Sequence, residues 1–295
     1  MNILEARNIT KTYDGHTALS DLTLDIPEGS VYGLLGPNGA GKTSFIRIIN
    51  QITAPDSGEI SLNGSPLQRD DIYTIGYLPE ERGLYKKMKV GEQAMYLAML
   101  KGLSASEAKA KLKLWFEKFE IQGWWNKKVE ELSKGMAQKI QFIVTVVHDQ
   151  KLLIFDEPFS GFDPINTELI KQEIKNLNAN GATIIFSTHR MESVEEICNH
   201  IALINQSKKV LEGSVKEIKE NYRSNTFQVE LHNAKASVKL SESFEVLENE
   251  HSSGILSLKV KLNDGDSPNK LVQEVSSFGD IYHLEEVIHR KRHIY

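Results

Sequence analysis

A single cysteine, Cys198, stands in the 295 residues, so no disulfide can close within the chain and nothing in it calls for an oxidising compartment. No uninterrupted apolar run approaches the roughly 18–20 residues that cross a bilayer. The best stretches, 94–100 and 142–147, are far shorter, so any membrane role would need another chain to supply the spans. The start, Met1-Asn2-Ile3-Leu4-Glu5, lacks the basic residues and apolar stretch of a secretory signal, and the sequence reads as cytosolic. An excess of positive charge is missing too. Forty acidic against 35 basic side chains leave a net charge of -5, the wrong sign for gripping nucleic acid through a bulk field. There is no internal repeat, no low-complexity tract and no Cys/His cluster with zinc spacing.

What remains is ordinary globular usage, 40% hydrophobic and 25% charged, in a length about twice that of an average domain. Over residues 1–220, short apolar runs alternate with helical patterns, which predicts an α/β fold with a largely parallel sheet. The expected strands are 31–35, 72–78, 152–155, 183–187 and 201–204. Ahead of them, 3–13 and 22–26 alternate apolar with polar residues, as antiparallel strands do.

From about 90 to 148 the strand signal gives way to helices. Ser104 with Glu107 three residues later forms a capping box, and Ala108, Leu112, Trp115, Phe116 and Phe119 follow at helical spacing. This aromatic stripe and the pair Trp124-Trp125 read as core rather than as a partner surface. Beyond the polar segment 216–225, taken as the join, Phe227, Val229 and Leu231 alternate, as do Leu256, Leu258, Val260 and Leu262. A helix over 268–278 and a strand over 281–284 complete a small α+β domain, 221–295.

Chemistry concentrates in Gly36-Pro37-Asn38-Gly39-Ala40-Gly41-Lys42-Thr43-Ser44, which fits the P-loop pattern and lies between a strand ending at Leu35 and a helix through Phe45, Ile46, Ile48 and Ile49. Such a loop curls its backbone N–H groups around the α- and β-phosphates of a nucleotide. Lys42 would reach the β- and γ-phosphates, and Thr43 would offer its hydroxyl to Mg²⁺. The strand 152–155 runs straight into Asp156 and Glu157. An acidic pair alone is often solvated decoration. At the carboxyl end of a buried strand and beside a P-loop, Asp156 is placed to hold Mg²⁺ and Glu157 to polarise the attacking water.

With these residues in view, Leu132-Ser133-Lys134-Gly135-Met136 resembles the Leu-Ser-Gly-Gly-Gln signature of the nucleotide-binding subunits of ABC transporters, and the resemblance covers about residues 1–220. It implies a P-loop NTPase ABC cassette: a RecA-like core with an antiparallel β subdomain and a helical subdomain. It also implies ATP and Mg²⁺ as ligands. Two subunits would pair head to tail, so that Ser133 and Gly135 of one close on ATP held by the P-loop of the other. Tyr13 is similar to the aromatic that stacks on adenine, Asp163 to the D-loop aspartate, and His189 to the switch histidine that meets the γ-phosphate. His148, His200 and the terminal His283, His289 and His293 match no motif and read as structural or solvated. Membrane permease subunits are the implied partners, no nucleic acid is expected, and the implied place is the cytoplasmic face of the cell membrane.

Three positions depart from the family pattern. Glu80 stands where a glutamine is usual, so a carboxylate can still face Mg²⁺ but would repel the γ-phosphate; Lys134 and Met136 replace glycine and glutamine. The run Leu78-Pro79-Glu80-Glu81-Arg82-Gly83-Leu84-Tyr85, with the small terminal domain, resembles ABC-2-type exporters, whose substrates include sodium ions and drug-like compounds. The basic end 289–293 reads as a solvated tail rather than a lipid contact. Rival readings are an ABC ATPase of DNA repair or translation and a weakly hydrolysing nucleotide sensor. Repair types carry a long coiled coil between P-loop and signature, and translation types join two cassettes, neither of which is present here.

Overall fold

In a computed structural model, which describes residues 1–81, 83–189, 191–222, 224–234, 238–252, 254–263 and 265–287, the chain divides into two units, Met1–Val215 and Lys216–Tyr295. The first begins with a hairpin of β1 (Asn2–Tyr13) and β2 (His16–Pro27). The parallel strand β3 (Val31–Leu35) then feeds α1 (Lys42–Ile49). Next come β4 (Ser57–Leu62), β5 (Ser65–Pro66) and β6 (Ile75–Leu78), followed by α2 (Val90–Leu100), α3 (Ala105–Lys118) and α4 (Lys134–Val146). The chain returns to β7 (Leu152–Asp156), α5 (Pro164–Ala179), β8 (Thr183–Thr188), α6 (Met191–Ile197), β9 (His200–Asn205) and β10 (Lys208–Ser214).

Two sheets result. One is antiparallel with order β2-β1-β4-β5; the other runs β10-β9-β3-β8-β7-β6, parallel except for the edge strand β10. Every residue of β3, β7 and β8 is buried, which is why each carries a largely apolar stretch without alternation. Phe45, Ile46, Ile48 and Ile49 of α1 belong to the same apolar core as the inner residues of both sheets. Burying such side chains contributes about 1.5–3 kcal/mol each, so the helix that follows the phosphate-binding loop is among the best anchored in the unit.

The helical segment is packed through its aromatic residues. Ser104 caps α3, accepting from the Glu107 backbone N–H at 3.3 Å while the Glu107 carboxylate accepts from the Ser104 N–H at 2.9 Å. Trp115 contacts Phe119 and Phe142, and Phe142 meets Phe155 of β7 with ring centroids 5.6 Å apart. The stripe is core, as its spacing implied. The Trp125 ring lies directly on Gly91, where an added Cβ would come within 2.3 Å of it.

The second unit holds α7 (Val215–Asn221) at its border and an antiparallel sheet of β11 (Thr226–His232), β12 (Phe244–Ser252), β13 (Ile255–Leu262) and β14 (Asp280–Glu286), in the order β12-β13-β11-β14. Helix α8 (Pro268–Val275) supplies Leu271 and Val275 to the core formed by alternate residues of β11 and β13.

Several expected boundaries move. The strand expected over 72–78 begins only at Ile75, because the Asp71 carboxylate accepts from the Gln68 N–H at 2.7 Å and its carbonyl takes the Thr74 N–H, winding Arg69–Tyr73 into a 3-10 turn. The polar join 216–225 contains most of α7. The helix expected over 268–278 stops at Val275 with Ser276 as its cap. His283 is an exposed residue 3.5 Å from Glu285, whereas His289, His293 and the rest of the basic end lie outside the described residues.

Candidate active site

The loop from Gly36 to Gly41 leaves β3 at its carboxyl end and turns into α1, which starts at Lys42. Gly41 precedes the helix with φ 113°, and a Cβ there would sit 2.3 Å from the carbonyl oxygen of Ala18, so only glycine lets the loop turn this close to β2. Lys42 is 6% exposed. Its ammonium donates to the carbonyl oxygens of Gly36 at 2.7 Å and Pro37 at 3.1 Å. Burial pulls its pKa below the ordinary lysine range, against the opposing pull of Glu157, Asp156 and Glu80.

Across the loop, β7 delivers the two carboxylates. Asp156 is buried; its Oδ2 accepts from the Thr43 hydroxyl at 3.3 Å and its Oδ1 from the Ser187 hydroxyl. Burial raises the Asp156 pKa, the Ser187 and Thr43 hydrogen bonds lower it, and neighbouring Glu157 adds to the rise. Glu157 adopts φ 48°, which turns the chain out of the strand, and its N–H donates to the Ser187 carbonyl at 3.1 Å. The Glu157 Oε1 lies 2.7 Å from His189 Nδ1 and accepts from the His189 N–H at 3.1 Å.

A cleft of about 400 Å³ brings these groups together. Its lining includes Tyr13, Asn38, Gly39, Gly41, Lys42, Thr43, Ser44, Glu80, Asp156 and Glu157. The Gly36 carbonyl accepts from the Lys42 ammonium at the start of the loop, and His189 joins through Glu157. Five singled-out residues are absent from that lining: Gly36 and His189, which adjoin it, and Ser133, Gly135 and Asp163, which do not. Ser133 caps α4, accepting from Met136 N–H at 3.3 Å, and Asp163 caps α5, accepting from Asn166 N–H at 2.8 Å. Those two helix starts adjoin each other. The position of a Cβ on Gly135 lies 3.6 Å from the Gly161 carbonyl, and the Lys134 side-chain stem lies across Gly161.

Sequence reading missed His16, which also lines the cleft. The signal was present, since Asp14-Gly15 is a hairpin-turn pair and sets His16 opposite Tyr13. It also missed two buried glutamines of α4. Gln138 donates to the Pro158 carbonyl at 3.3 Å, and Gln141 donates to the Pro79 carbonyl at 3.3 Å, so one helix face touches the segments carrying Glu157 and Glu80. These contacts join residues distant in sequence, and no local pattern marks them.

Among the described residues no group of three or more His, Cys, Asp and Glu could hold a metal by itself. The hydroxyl of Thr43 and the carboxylate of Asp156 are hard oxygen donors set side by side. They suit a cation that keeps much of its water and takes further oxygens from a phosphate.

Comparison with known proteins gives the same assignment. The ABC transporter family matches residues 19–160, and the family described as "ATP-binding protein DrrA1-3-like, C-terminal domain" matches residues 213–289. The ABC transporter ATP-binding protein YhaQ of Bacillus subtilis (strain 168) is 50% identical over 220 residues, covering 75% of this chain and 74% of the relative. The Nod factor export ATP-binding protein I of Cupriavidus metallidurans is 33% identical, covering 73% of this chain and 72% of its own length. A solved structure of an ATP-binding subunit of an ABC transporter, 28% identical, superposes with a TM-score of 0.70 over 75% of this chain and 93% of its own. An α/β P-loop cassette, a nucleotide-sized cleft at the strand ends and these relatives agree: the chain belongs to the ATP-binding subunits of ABC transporters and is an ATPase.

Proposed function

We propose that this ATPase drives export through separate membrane permease subunits, working as a head-to-tail homodimer at the cytoplasmic face of the membrane. The observation that carries this reading is the division of the motif residues. One set lines the cleft, while Ser133, Gly135 and Asp163 gather at two adjoining helix starts outside it. A helix start with a serine cap and free N–H groups suits an anion. In this arrangement it serves the γ-phosphate of ATP held by a second copy. Residues 1–220 form the cassette, with 90–148 as its helical subdomain, and 221–295 the accessory domain.

In the cleft, Tyr13 stacks on adenine, the 36–41 loop and Ser44 surround the phosphates, and Lys42 leaves its own loop carbonyls for the β- and γ-phosphates. Asn38 and Gly39 form the exposed loop tip that the closing partner covers. Thr43 and Asp156 would hold Mg²⁺, with Glu80 of the cleft lining as a further oxygen donor; when bound, the ion would neutralise charge on the β- and γ-phosphates. Glu157 orients and deprotonates the water, and His189, already bonded to Glu157, sets the carboxylate and meets the γ-phosphate. Asp163 relays closure between the copies.

Export is proposed on the Nod factor export relative and on the resemblance to ABC-2-type exporters, which also supplies sodium ions or drug-like compounds as candidate substrates. No helix among the described residues is long and apolar enough to cross a membrane. An exposed face of α2, with Tyr96 46%, Met99 47% and Leu100 52% exposed, suits a permease segment.

The reading is tested with Glu157→Gln. ATP binding should persist while turnover falls by about 10²- to 10⁴-fold, and size-exclusion chromatography in ATP should show a dimer. A variant that stays monomeric in ATP, or keeps full turnover, would refute it.

A further inference from the structure

The assignment of Tyr13 to the adenine leaves open what holds that ring in place. Tyr13 is the last residue of β1, 37% exposed, at a point where the β1–β2 ladder is irregular: the register shifts between Ile9 and Lys11 and again between Lys11 and Thr12. Beyond these shifts Thr12 pairs with Thr17 and Tyr13 with His16, and Asp56, just before β4, ties the same strand end from the other side. Its N–H donates to the Thr10 carbonyl at 2.8 Å, its Oδ2 accepts from the Thr12 N–H at 2.7 Å, and its Oδ1 accepts from the Lys11 ammonium at 2.7 Å. The Lys11 ammonium in turn lies over the Tyr13 ring, 5.4 Å from its centroid. Lys11 and Tyr13, two residues apart on a strand, share one face. The Lys11 side chain is only 14% exposed, unlike a free surface lysine.

We propose that Lys11 and Asp56 are positioning residues for the base of ATP: Asp56 fixes the strand end and the ammonium, and the ammonium fixes the plane of Tyr13 on which the purine stacks. The inference rests on the reading of Tyr13 as the adenine platform. A ring held before binding loses little freedom when the purine arrives, and a cation on one face leaves the other for stacking. The two donors from Lys11 and Thr12 hold the Asp56 carboxyl below its ordinary range, so it stays ionised at neutral pH. With the Asp56 side chain 44% exposed, the ion pair contributes little to stability. Its effect falls on the base and not on the phosphates, and this separates it from a structural role.

The test titrates the full-length protein and its variants with ATP and with inorganic tripolyphosphate, which has the phosphates and no base. Lys11→Met and Asp56→Asn should each weaken ATP by about three- to tenfold, the cost of ordering one or two side chains. Tripolyphosphate affinity and kcat should be unchanged and the KM for ATP raised. Lys11→Arg, which keeps both the ion pair and the cation over the ring, should restore ATP affinity. Tyr13→Ala separates the two layers of the reading. If it weakens ATP while Lys11→Met and Asp56→Asn do not, the positioning role is wrong and Tyr13 stands. If Tyr13→Ala leaves ATP affinity unchanged, the platform itself is wrong. Equal weakening of ATP and tripolyphosphate in Lys11→Met, or no rescue by Lys11→Arg, would show a general disturbance of the loop and overturn the proposal.

Discussion

Lys42 offers the sharpest separation between folding and ligand binding. In the free chain its ammonium is nearly buried, satisfied by two carbonyls of its own loop and facing Glu157, Asp156 and Glu80. Lys42→Met keeps the stem and removes the charge. The free protein loses two charge-assisted hydrogen bonds of about 1.5–3 kcal/mol each, but it no longer buries an ammonium, a saving of several kcal/mol. Those terms oppose each other, so the free protein should melt close to the unmodified chain. In ATP binding the ammonium exchanges its two loop carbonyls for phosphate oxygens, with no burial saving for the variant. Losing the ammonium's contact with phosphate oxygens should weaken ATP by about 2–3 kcal/mol, or roughly 30- to 150-fold.

Thermal melting reads both quantities at once. With ATP at about 100 times its Kd, binding stabilises the unmodified protein by about 2.7 kcal/mol, whereas a variant weakened 100-fold gains only about 0.4 kcal/mol. For a domain of this size, about 2–4 °C accompany each kcal/mol, so an ATP-induced shift of about 5–11 °C should shrink to about 1–2 °C. An undiminished shift in Lys42→Met would refute the placement of the phosphates. A large fall in the melting point without ATP would show instead that the lysine is chiefly a structural element of its loop.

Two further outcomes follow from charges around the cleft and helices. Glu80→Gln should bind metal-free ATP a few-fold more tightly, by removing a negative charge that faces the phosphates, and should gain less from added Mg²⁺; titrations with EDTA and with Mg²⁺ that coincide with the unmodified protein would contradict this. Burial pulls the His148 pKa down to about 4, with Lys101 and Lys111 adding to the effect and Asp149 opposing it. The unfolded imidazole titrates near 6.5 and the folded one lower. The stabilisation is therefore complete above about pH 6.5 and is lost as pH falls towards 4, on the order of 1–3 kcal/mol. Urea unfolding of His148→Gln across that range should show a flatter acid limb, and an unchanged limb would count against the burial argument.

How far the sequence could be read depended on whether a residue's task is local. β7 was visible because all five of its residues are buried and the first four are apolar, and α3 because its cap and stripe lie within 16 residues. By contrast, β12 has only Phe244 buried, and exists as a strand because β13 pairs with it. β10 is an edge strand without a fully buried residue. Both lacked the alternation on which strand detection rests. The expected strand over 72–78 lost its first three residues for the opposite reason: Ile72 and Tyr73 are strand-forming residues, but the Asp71 turn takes their backbone first.

The same distinction sorts the site. Residues proposed to touch phosphate are specified by short motifs, since a backbone loop and its lysine must be contiguous to fold around one anion. Residues that place them are not. Asp56 reaches Thr12, beside Tyr13 at the strand end, across 44 residues of chain, and Gln138 and Gln141 of α4 reach the Glu157 and Glu80 segments over 20 and about 60 residues. Each is an ordinary polar residue whose partner is a backbone group or a lysine, so any sequence that preserved the fold would leave no pattern to find. The departures at Glu80, Lys134 and Met136 sit next to these hidden contacts: Glu80 lies between Pro79 and Glu81, whose carbonyls Gln141 holds, and Lys134 lies across Gly161. What distinguishes this ATPase from the common family pattern is thus concentrated where α4 joins the nucleotide cleft to the surface proposed for the partner copy. Turnover and coupling should be set there rather than in the phosphate loop.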